Sequence, residues 1–445
     1  MFKKILIANR SEIALRIIRA AKELGIKTVA IYSTDDKDSM HVRFADESIC
    51  VGSEGAKNSY LNLSNVAQAI VNSGCDAVHP GYGFLSENPT FSDICKDLGV
   101  TFIGPDANTM QNLADKAKVK SILNKFEIPT VPGSDGSIED EDTLKEVAQK
   151  IGYPVLLKAS WGGGGKGMRI VRDENQLLQE FNAAKMEAKV SFGRDDIYLE
   201  KFIEHPRHIE VQVIADKYGN VVHIGERDCS IQRRHQKLLE ESPSSVLTKE
   251  KREQLHKTAV DATKALGYQN AGTLEFLFDG DDFYFIEINT RIQVEHPVSE
   301  TAYGVDLIKE QIAVASGEML SLKQEDLSQK FYTMECRINA ENPTNFYPSP
   351  GKITKLFIPG GPGVRVDTAI HCGMTVSPNY DSLIAKLIVR GKDREEIRKR
   401  MLRCLDEFII EGIQTSIPFF KNLLTSNEFI NNSYDTNFID KLYLE

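Results

Sequence analysis

The sequence predicts an α/β protein of about three domains, and three observations predict it. Strand and helix patterns alternate from the first residues to about residue 104, two strand-like runs flank a glycine-rich stretch at 161–167, and a hairpin at 273–288 leads into polar residues on every second position. At 445 residues the chain can bury sizeable cores, and its 41% hydrophobic and 27% charged content are ordinary for a globular enzyme. A net charge of −10 argues against nucleic-acid binding, which needs a basic face to displace counterions. An anionic substrate must then be drawn in by local basic groups, of which Arg227, Arg233, Arg234, His235 and Lys237 form the densest cluster. No stretch approaches the ~20 apolar residues of a membrane helix, and the four apolar residues after Lys4 are too few for a signal peptide. Seven cysteines, an odd number with no C-x-x-C pair, fit free thiols in a reducing compartment, so a cytoplasmic location is expected. Cys229, beside the basic cluster, reads as a small buried residue rather than an activated thiolate.

The elements follow in order. Lys4 to Ala8 reads as a strand, Glu12 to Leu24 as an amphipathic helix stopped by Gly25, and Thr28 to Tyr32 as the next strand. The turn Asn9-Arg-Ser-Glu12 lacks G-x-G-x-x-G, which argues against a nicotinamide or flavin site, and Ser11 is expected to cap the helix. His79 to Asn88 forms a glycine-rich loop, residues 113–128 look helical, and Pro129 to Ser134 marks a joint. A second α/β unit runs to about residue 203 and a third over roughly 204–330. Ser321 to Lys330 then leads into a region richer in strand and turn signals, with helices from about Arg394.

Tyr153 to Ser160 has a buried-strand pattern, Trp161 to Gly167 is glycine-rich, and Met168 to Arg172 reads as strand again. Gly162, Gly164 and Gly167 match a dinucleotide fingerprint literally, but a strand follows where that motif needs a helix, and no Walker Lys-Ser or Lys-Thr is present. Strand, glycines, strand describes a flap whose backbone N–H groups can approach phosphate oxygens, with Lys158 and Lys166 supplying charge. The alternative is a surface hairpin without a ligand; four consecutive glycines are costly to order, which favours phosphate contact.

Glu287, Asn289, Arg291, Gln293 and Glu295 fall on alternate residues, and an extended chain would aim all five one way. A hairpin with a three-residue loop at Gly280 sets Glu275 opposite Glu287, and two facing carboxylates repel unless a cation lies between them. Carboxylate and amide oxygens suit Mg²⁺, which commonly bridges substrate phosphates, while an adjacent guanidinium, amide and carboxylate suit a small anion. Together they predict phosphoryl transfer to an anionic acceptor.

The chain is similar to the biotin carboxylases, members of the ATP-grasp superfamily, along its whole length and in the family's order. The matching pieces are Lys-Ile-Leu-Ile-Ala-Asn-Arg (4–10), His-Pro-Gly-Tyr-Gly-Phe-Leu-Ser-Glu-Asn (79–88), the flap (158–168), Arg-His-Ile-Glu-Val-Gln (207–212) and Glu-Arg-Asp-Cys-Ser-Ile-Gln-Arg-Arg-His-Gln-Lys (226–237). To these are added the Glu275 and Glu287 strands, Arg-Ile-Gln-Val-Glu-His-Pro-Val (291–298) and Tyr-Asp-Ser-Leu-Ile-Ala-Lys (380–386). The resemblance implies a Rossmann-like pre-ATP-grasp domain over 1–112, an ATP-grasp domain over 113–330 with a mobile glycine-rich lid at about 131–203, and a mixed β/α biotin carboxylase C-terminal domain over 331–445. It also implies an ATP site of Lys116, Lys158, Gly164, Gly165, Lys166, Gly167, Met168, Glu200, Lys201, Ile203, His208, Gln232, His235 and Leu277, with Glu275, Glu287 and Asn289 as ligands of Mg²⁺ (or Mn²⁺). Bicarbonate is then held by Lys237, Arg291, Gln293 and the backbone N–H of Val294, Glu295 is the general base, and Arg337 meets the biotin ureido oxygen with Tyr82 and Asp381 near that end.

The implied reaction makes carboxyphosphate from bicarbonate and ATP and then carboxybiotin, ADP and phosphate. Two positions depart from the family's habit: Ser11 stands where glycine is usual, which touches the local turn, and Trp161 occupies a flap position that is often small. No Ala-Met-Lys-Met biotinylation site occurs, so biotin is expected on a separate biotin carboxyl carrier protein, with carboxyltransferase subunits completing a multi-component enzyme, acetyl-CoA carboxylase before a pyruvate or other acyl-CoA carboxylase. The family also implies a homodimer. A different ATP-grasp ligase would share the flap and the metal carboxylates but would have no use for Arg291-Ile-Gln-Val-Glu295. A carbamoyl-phosphate synthetase would be internally duplicated, and a regulatory nucleotide-binding module would tolerate loss of Lys237, Glu295 or Arg337.

Overall fold

The computed structural model describes residues 1–161 and 167–444. Its N-terminal layer is a five-stranded parallel sheet, ordered Glu47–Gly52, Lys27–Ser33, Lys4–Ile7, Ala77–His79, Thr101–Phe102. The Ser11–Glu23 helix returns the chain between the first two strands in sequence, burying Ile13, Ala14, Ile17, Ile18 and Ala21 at helical spacing. Those side chains pack on Ile5 and Ile7 and, beyond them, on Ile214, Ile292 and Leu307 of the middle of the chain. Ser11 does not cap this helix: Arg10 holds the N-cap position, its side chain makes no cap hydrogen bond, and Ser11 itself stands at φ 57°. A left-handed backbone there explains why glycine is the easier residue.

The helix expected over 113–128 is two, Ala107–Ala114 and Lys116–Lys125, because Asp115 leaves the helical conformation and its carboxylate accepts from the Lys118 N–H at 3.1 Å as the cap of the second. Both strands of the flap form. Val155–Ala159 lies between Arg169–Val171 and Ile197–Lys201 in a three-stranded sheet, backed by Leu144, Leu177, Phe181 and Ala184 from two helices. Gly164, Gly165 and Lys166 lie outside the described residues.

The largest sheet has eight antiparallel strands, ordered Phe283–Asn289, Asn270–Phe278, Arg207–Ala215, Val221–Arg233, Gln236–Ser242, Tyr332–Asn339, Leu383–Gly391, Val364–Thr368. It runs uninterrupted across residue 330, since Leu239 pairs with Cys336 and Glu240 with Glu335. In the hairpin Glu275 faces Glu287 as expected, although the loop, 279–282, has four residues and not three. Asp279 explains the extra residue: its carboxylate accepts from the N–H groups of Asp281 and Asp282 at 3.0 and 2.8 Å, an Asx turn that needs the longer loop. Extended backbone ends at Asn289, so Arg291 to Glu295 form a turn into the His296–Tyr303 helix rather than a continued strand. Among the described residues no helix is long and apolar enough to cross a membrane.

Candidate active site

The three layers meet at a cleft of about 900 Å³. Into it the large sheet presents His208, Gln232, Lys237, Glu275, Leu277, Glu287, Asn289 and Arg337, and the turn after the hairpin adds Arg291, Gln293, Val294 and Glu295. Lys116 lines it from the start of the Lys116–Lys125 helix, Lys158, Met168, Glu200, Lys201 and Ile203 from the three-stranded sheet and the segments next to it, His235 from the turn between two sheet strands, Tyr82 from the N-terminal layer and Asp381 from the C-terminal region. Gly167 falls outside the lining; its N–H donates to Glu187 at 3.2 Å. The basic cluster converges only in part. Lys237 and His235 line the cleft and Arg227 is buried beside it, whereas Arg233 lies 4.2 Å over the Phe346 ring and Arg234 is exposed in the turn.

The centre is a charge lattice built by register. In the Arg207–Ala215 strand His208, Glu210 and Gln212 alternate and pair with Leu277, Glu275 and Thr273 of the neighbouring strand. Glu210, 0% exposed, accepts from Arg227 Nε at 2.5 Å and from Lys237 Nζ. Arg227, also 0% exposed, donates further to Gln212 at 2.8 Å, to Ser299 and Gln293 at 3.0 Å and to Thr273 at 3.2 Å, so its guanidinium is an internal anchor that orients the Gln293 amide. Gln293 in turn donates to Glu275 Oε1 at 2.9 Å.

Lys237 Nζ reaches Glu275 at 2.7 Å and Glu295 at 2.8 Å in addition to Glu210. Burial would lower its pKa, but the three carboxylates hold it well above the ordinary lysine value. Glu295 is bracketed: one oxygen accepts from Lys237 and the other from Arg337 Nη2 at 2.8 Å. Desolvation pushes this carboxyl up, yet Lys237, Arg337 and Arg227 outweigh it and keep it well below the usual range. Arg337 also donates to Glu240 Oε1 at 2.7 Å. Arg291 is braced by Glu87 at 3.0 Å and donates to Asn289 Oδ1 at 3.2 Å.

The metal-type donors meet a second pair of cations. Glu275 accepts from Asn289 at 2.9 Å and lies 3.1 Å from His208 Nε2; burial raises its carboxyl, but Lys237 and His208 bring it well below normal. Glu287 is lowered chiefly by Lys116, which contacts it directly. Two carboxylates in register with an amide oxygen two residues on form a hard-oxygen donor set, which fits Mg²⁺. Among the described residues His208, Glu210 and Glu275 also cluster, but the Lys237 ammonium already bridges the two carboxylates there.

On the lid side Lys158 and Lys120 pair with the two oxygens of Glu200 at 3.1 and 3.2 Å, beside the Tyr198 ring. The Lys201 ammonium is engaged by the carbonyls of Gly152 and Tyr153, both at 3.0 Å, so this residue borders the cleft without offering it a charge. Trp161 stacks under the Arg194 guanidinium at 4.5 Å. Cys229 is buried, its thiol pushed well up by desolvation and by Glu210, which agrees with a structural residue. Sequence reasoning singled out Arg227 only as a member of the basic cluster and missed Glu210, Glu240, Lys120, Glu87 and Lys386. Glu210 had a signal in the alternation His208, Glu210, Gln212, and Lys120 in its i+4 spacing from Lys116.

With this geometry in hand, similarity to known proteins is informative. Residues 1–110 match the family model for the biotin carboxylase N-terminal domain, 115–323 the carbamoyl-phosphate synthase L chain ATP-binding domain, and 335–441 the biotin carboxylase C-terminal domain. A curated relative, Biotin carboxylase 1 of Bacillus subtilis, is 53% identical over 443 residues, covering 99% of this chain and 98% of its own. The crystal structure of a Campylobacter jejuni biotin carboxylase–β,γ-ATP complex superposes with a TM-score of 0.96 at 48% identity, covering 99% of each chain. That of the biotin carboxylase domain dimer of Hydrogenobacter thermophilus 2-oxoglutarate carboxylase, with MgADP, ADP and bicarbonate, gives 0.94 at 49% identity over 99% of this chain and 98% of the other.

Proposed function

The chain belongs to the biotin carboxylase family, and from that premise we propose how its residues divide the work of an ATP-dependent biotin carboxylation. The observation that carries the reading is Glu295 clasped between Lys237 and Arg337, next to Gln293 and Arg291. Bicarbonate, bound by Lys237, Arg291, Gln293 and the Val294 N–H, competes for the very cations that depress Glu295. As Lys237 turns to the anion, the carboxylate regains basicity and takes the bicarbonate proton at the moment the oxygen becomes a nucleophile. ATP lies with its base among Met168, Ile203 and Leu277, and its phosphates meet Lys116, Lys158 and the flap, within reach of His208, Gln232 and His235. Glu275, Glu287 and Asn289 would hold a Mg²⁺ or Mn²⁺ ion, which would supply charge neutralisation for the phosphates.

Attack on the γ-phosphorus gives carboxyphosphate and ADP, and carboxyphosphate breaks down to CO₂ and phosphate. Phosphate takes the ureido proton of biotin, and the Arg337 guanidinium stabilises the oxygen on which charge develops as the nitrogen captures CO₂. Tyr82 and Asp381 border that end of the cleft. Biotin arrives on a separate carrier protein, the catalytic chain is a homodimer, and carboxyltransferase subunits pass the carboxyl on. We assign the chain to acetyl-CoA carboxylase. The 2-oxoglutarate carboxylase relative keeps a keto-acid acceptor as a second reading. The decisive experiment measures ADP release by the purified chain with Mg²⁺, ATP and free biotin. Release is expected to collapse when dissolved carbonate is stripped from the buffer; an unaltered rate sinks the reading.

A further inference from the structure

Lys386 belongs to none of the groups above, yet it is a fully buried ammonium, 0% exposed, directly opposite Arg337 across two paired strands. Its Nζ donates to the backbone carbonyl of Val294 at 3.0 Å and lies 3.0 Å from Glu12 Oε2. Glu12, buried on the N-terminal helix, accepts from the Tyr82 hydroxyl through its other oxygen. Three distant parts of the chain thus form one series of contacts, Tyr82 to Glu12 to Lys386, that ends on a carbonyl of the turn 291–295. Burying an ion pair is costly and is weak evidence for a stabilising role, so its location is the informative fact. The Val294 carbonyl shares its peptide plane with the Glu295 N–H, and that plane joins the Val294 and Glu295 Cα atoms. Clamping the oxygen therefore fixes the direction in which Glu295 leaves the backbone.

We propose that Lys386 is a positioning residue for bicarbonate activation, its ammonium clamping the Val294–Glu295 peptide while Glu12, itself held by Tyr82, keeps that ammonium in place. The proposal rests on the reading of residues 291–295 as the bicarbonate holder. Removing a charged donor from a single hydrogen bond is expected to cost about tenfold or more. Here the loss should fall on the KM for bicarbonate rather than on that for MgATP.

The test compares the wild-type chain with Lys386→Met, with Glu12→Gln/Lys386→Met, which leaves no unpaired buried charge, and with Glu12→Gln/Lys386→Gln, which restores an uncharged donor. Arg291→Ala serves as control. Bicarbonate-dependent ADP release and thermal midpoints are recorded for each. The methionine pair should fold, keep its KM for MgATP and raise its KM for bicarbonate about tenfold or more, and the glutamine pair should recover most of that loss. A folded methionine pair with wild-type bicarbonate KM overturns the clamp while Arg291→Ala is impaired; if Arg291→Ala is also unimpaired, the reading of the loop fails instead. A methionine pair that does not fold assigns Lys386 a structural role and likewise overturns the proposal, as does a glutamine pair no better than the methionine pair.

Discussion

On the proposed reading Glu295 is a base stored without being spent on the wrong proton. Its carboxylate is held below the ordinary range by Lys237 and Arg337 despite complete burial, so at rest it is a poor base bound to two donors. Glu295→Gln keeps the shape and an acceptor oxygen but cannot take a proton. It is expected to slow bicarbonate-dependent ATP cleavage ~10²-fold or more, the scale of a lost general base, with binding of MgATP retained. Turnover at the wild-type rate would remove the assignment. Behind the same guanidinium Glu240 behaves in the opposite sense. Burial raises its carboxyl, Arg337 and Lys237 pull it down, and Glu295 pushes it up, leaving it at about 7 against an ordinary 4.5. A carboxyl raised by folding stabilises the fold below its unfolded pKa and loses that contribution as pH climbs through the folded one. From pH 4.5 to 7 the wild-type chain should therefore lose stability relative to Glu240→Gln, by up to about 1.4 kcal/mol per pH unit. Denaturant titrations at stepped pH that show a constant difference would refute the burial argument. Glu287 and Glu295 were legible because they alternate in a visible run, and Glu275 because the hairpin sets it opposite Glu287. Glu240, Glu335 and Lys386 were not, because a charged residue inside a strand declares its purpose only through what lies opposite, and register across non-adjacent strands is not written in the sequence.

At the scale of elements, strands were easier to foresee than the turns that end them. Period-2 patterns located both flap strands and the hairpin, while Asp279 lengthened one loop and Asp115 split one helix through side-chain hydrogen bonds that compete locally with the expected backbone pattern. Past Asn289 the alternation carries on in sequence after extended backbone has ended, yet Arg291, Gln293 and Glu295 still reach one cleft, because the turn into the helix folds them back. Ser11 is the clearest case of an element end misjudged. Read as a cap, it instead supplies a left-handed residue at φ 57° on the first turn of the helix that carries Glu12. Ser11→Gly should relieve that strain and, after allowing for glycine's looser unfolded chain, raise stability by about 0.5–1 kcal/mol in a denaturant titration. Ser11→Val should lower it. A glycine form no more stable than wild type would show that the turn stores no strain.

Over the whole molecule the decisive feature is a sheet that ignores the sequence's own punctuation. The polar stretch Ser321 to Lys330 looks like a linker, and the C-terminal family match begins at residue 335. Packing does not divide there. Ile231, Leu238 and Leu239, from strands on the ATP side, share one apolar cluster with Met334, Cys336, Leu387, Met401 and Phe420. The same boundary is crossed by the site, since Glu295 precedes it and Arg337 and Lys386 follow it. A chain ending at Lys330 would leave Gln236–Ser242 as an unpaired edge with its apolar face uncovered. Such a fragment is expected to lack a cooperative unfolding transition, to bind an apolar dye and to lose its bicarbonate-dependent ATP cleavage. Were it to melt cooperatively like the intact chain, the segments on either side of residue 330 would be independent folding units, and the lattice joining Lys237, Glu295 and Arg337 would have to be assembled by docking rather than by one continuous sheet.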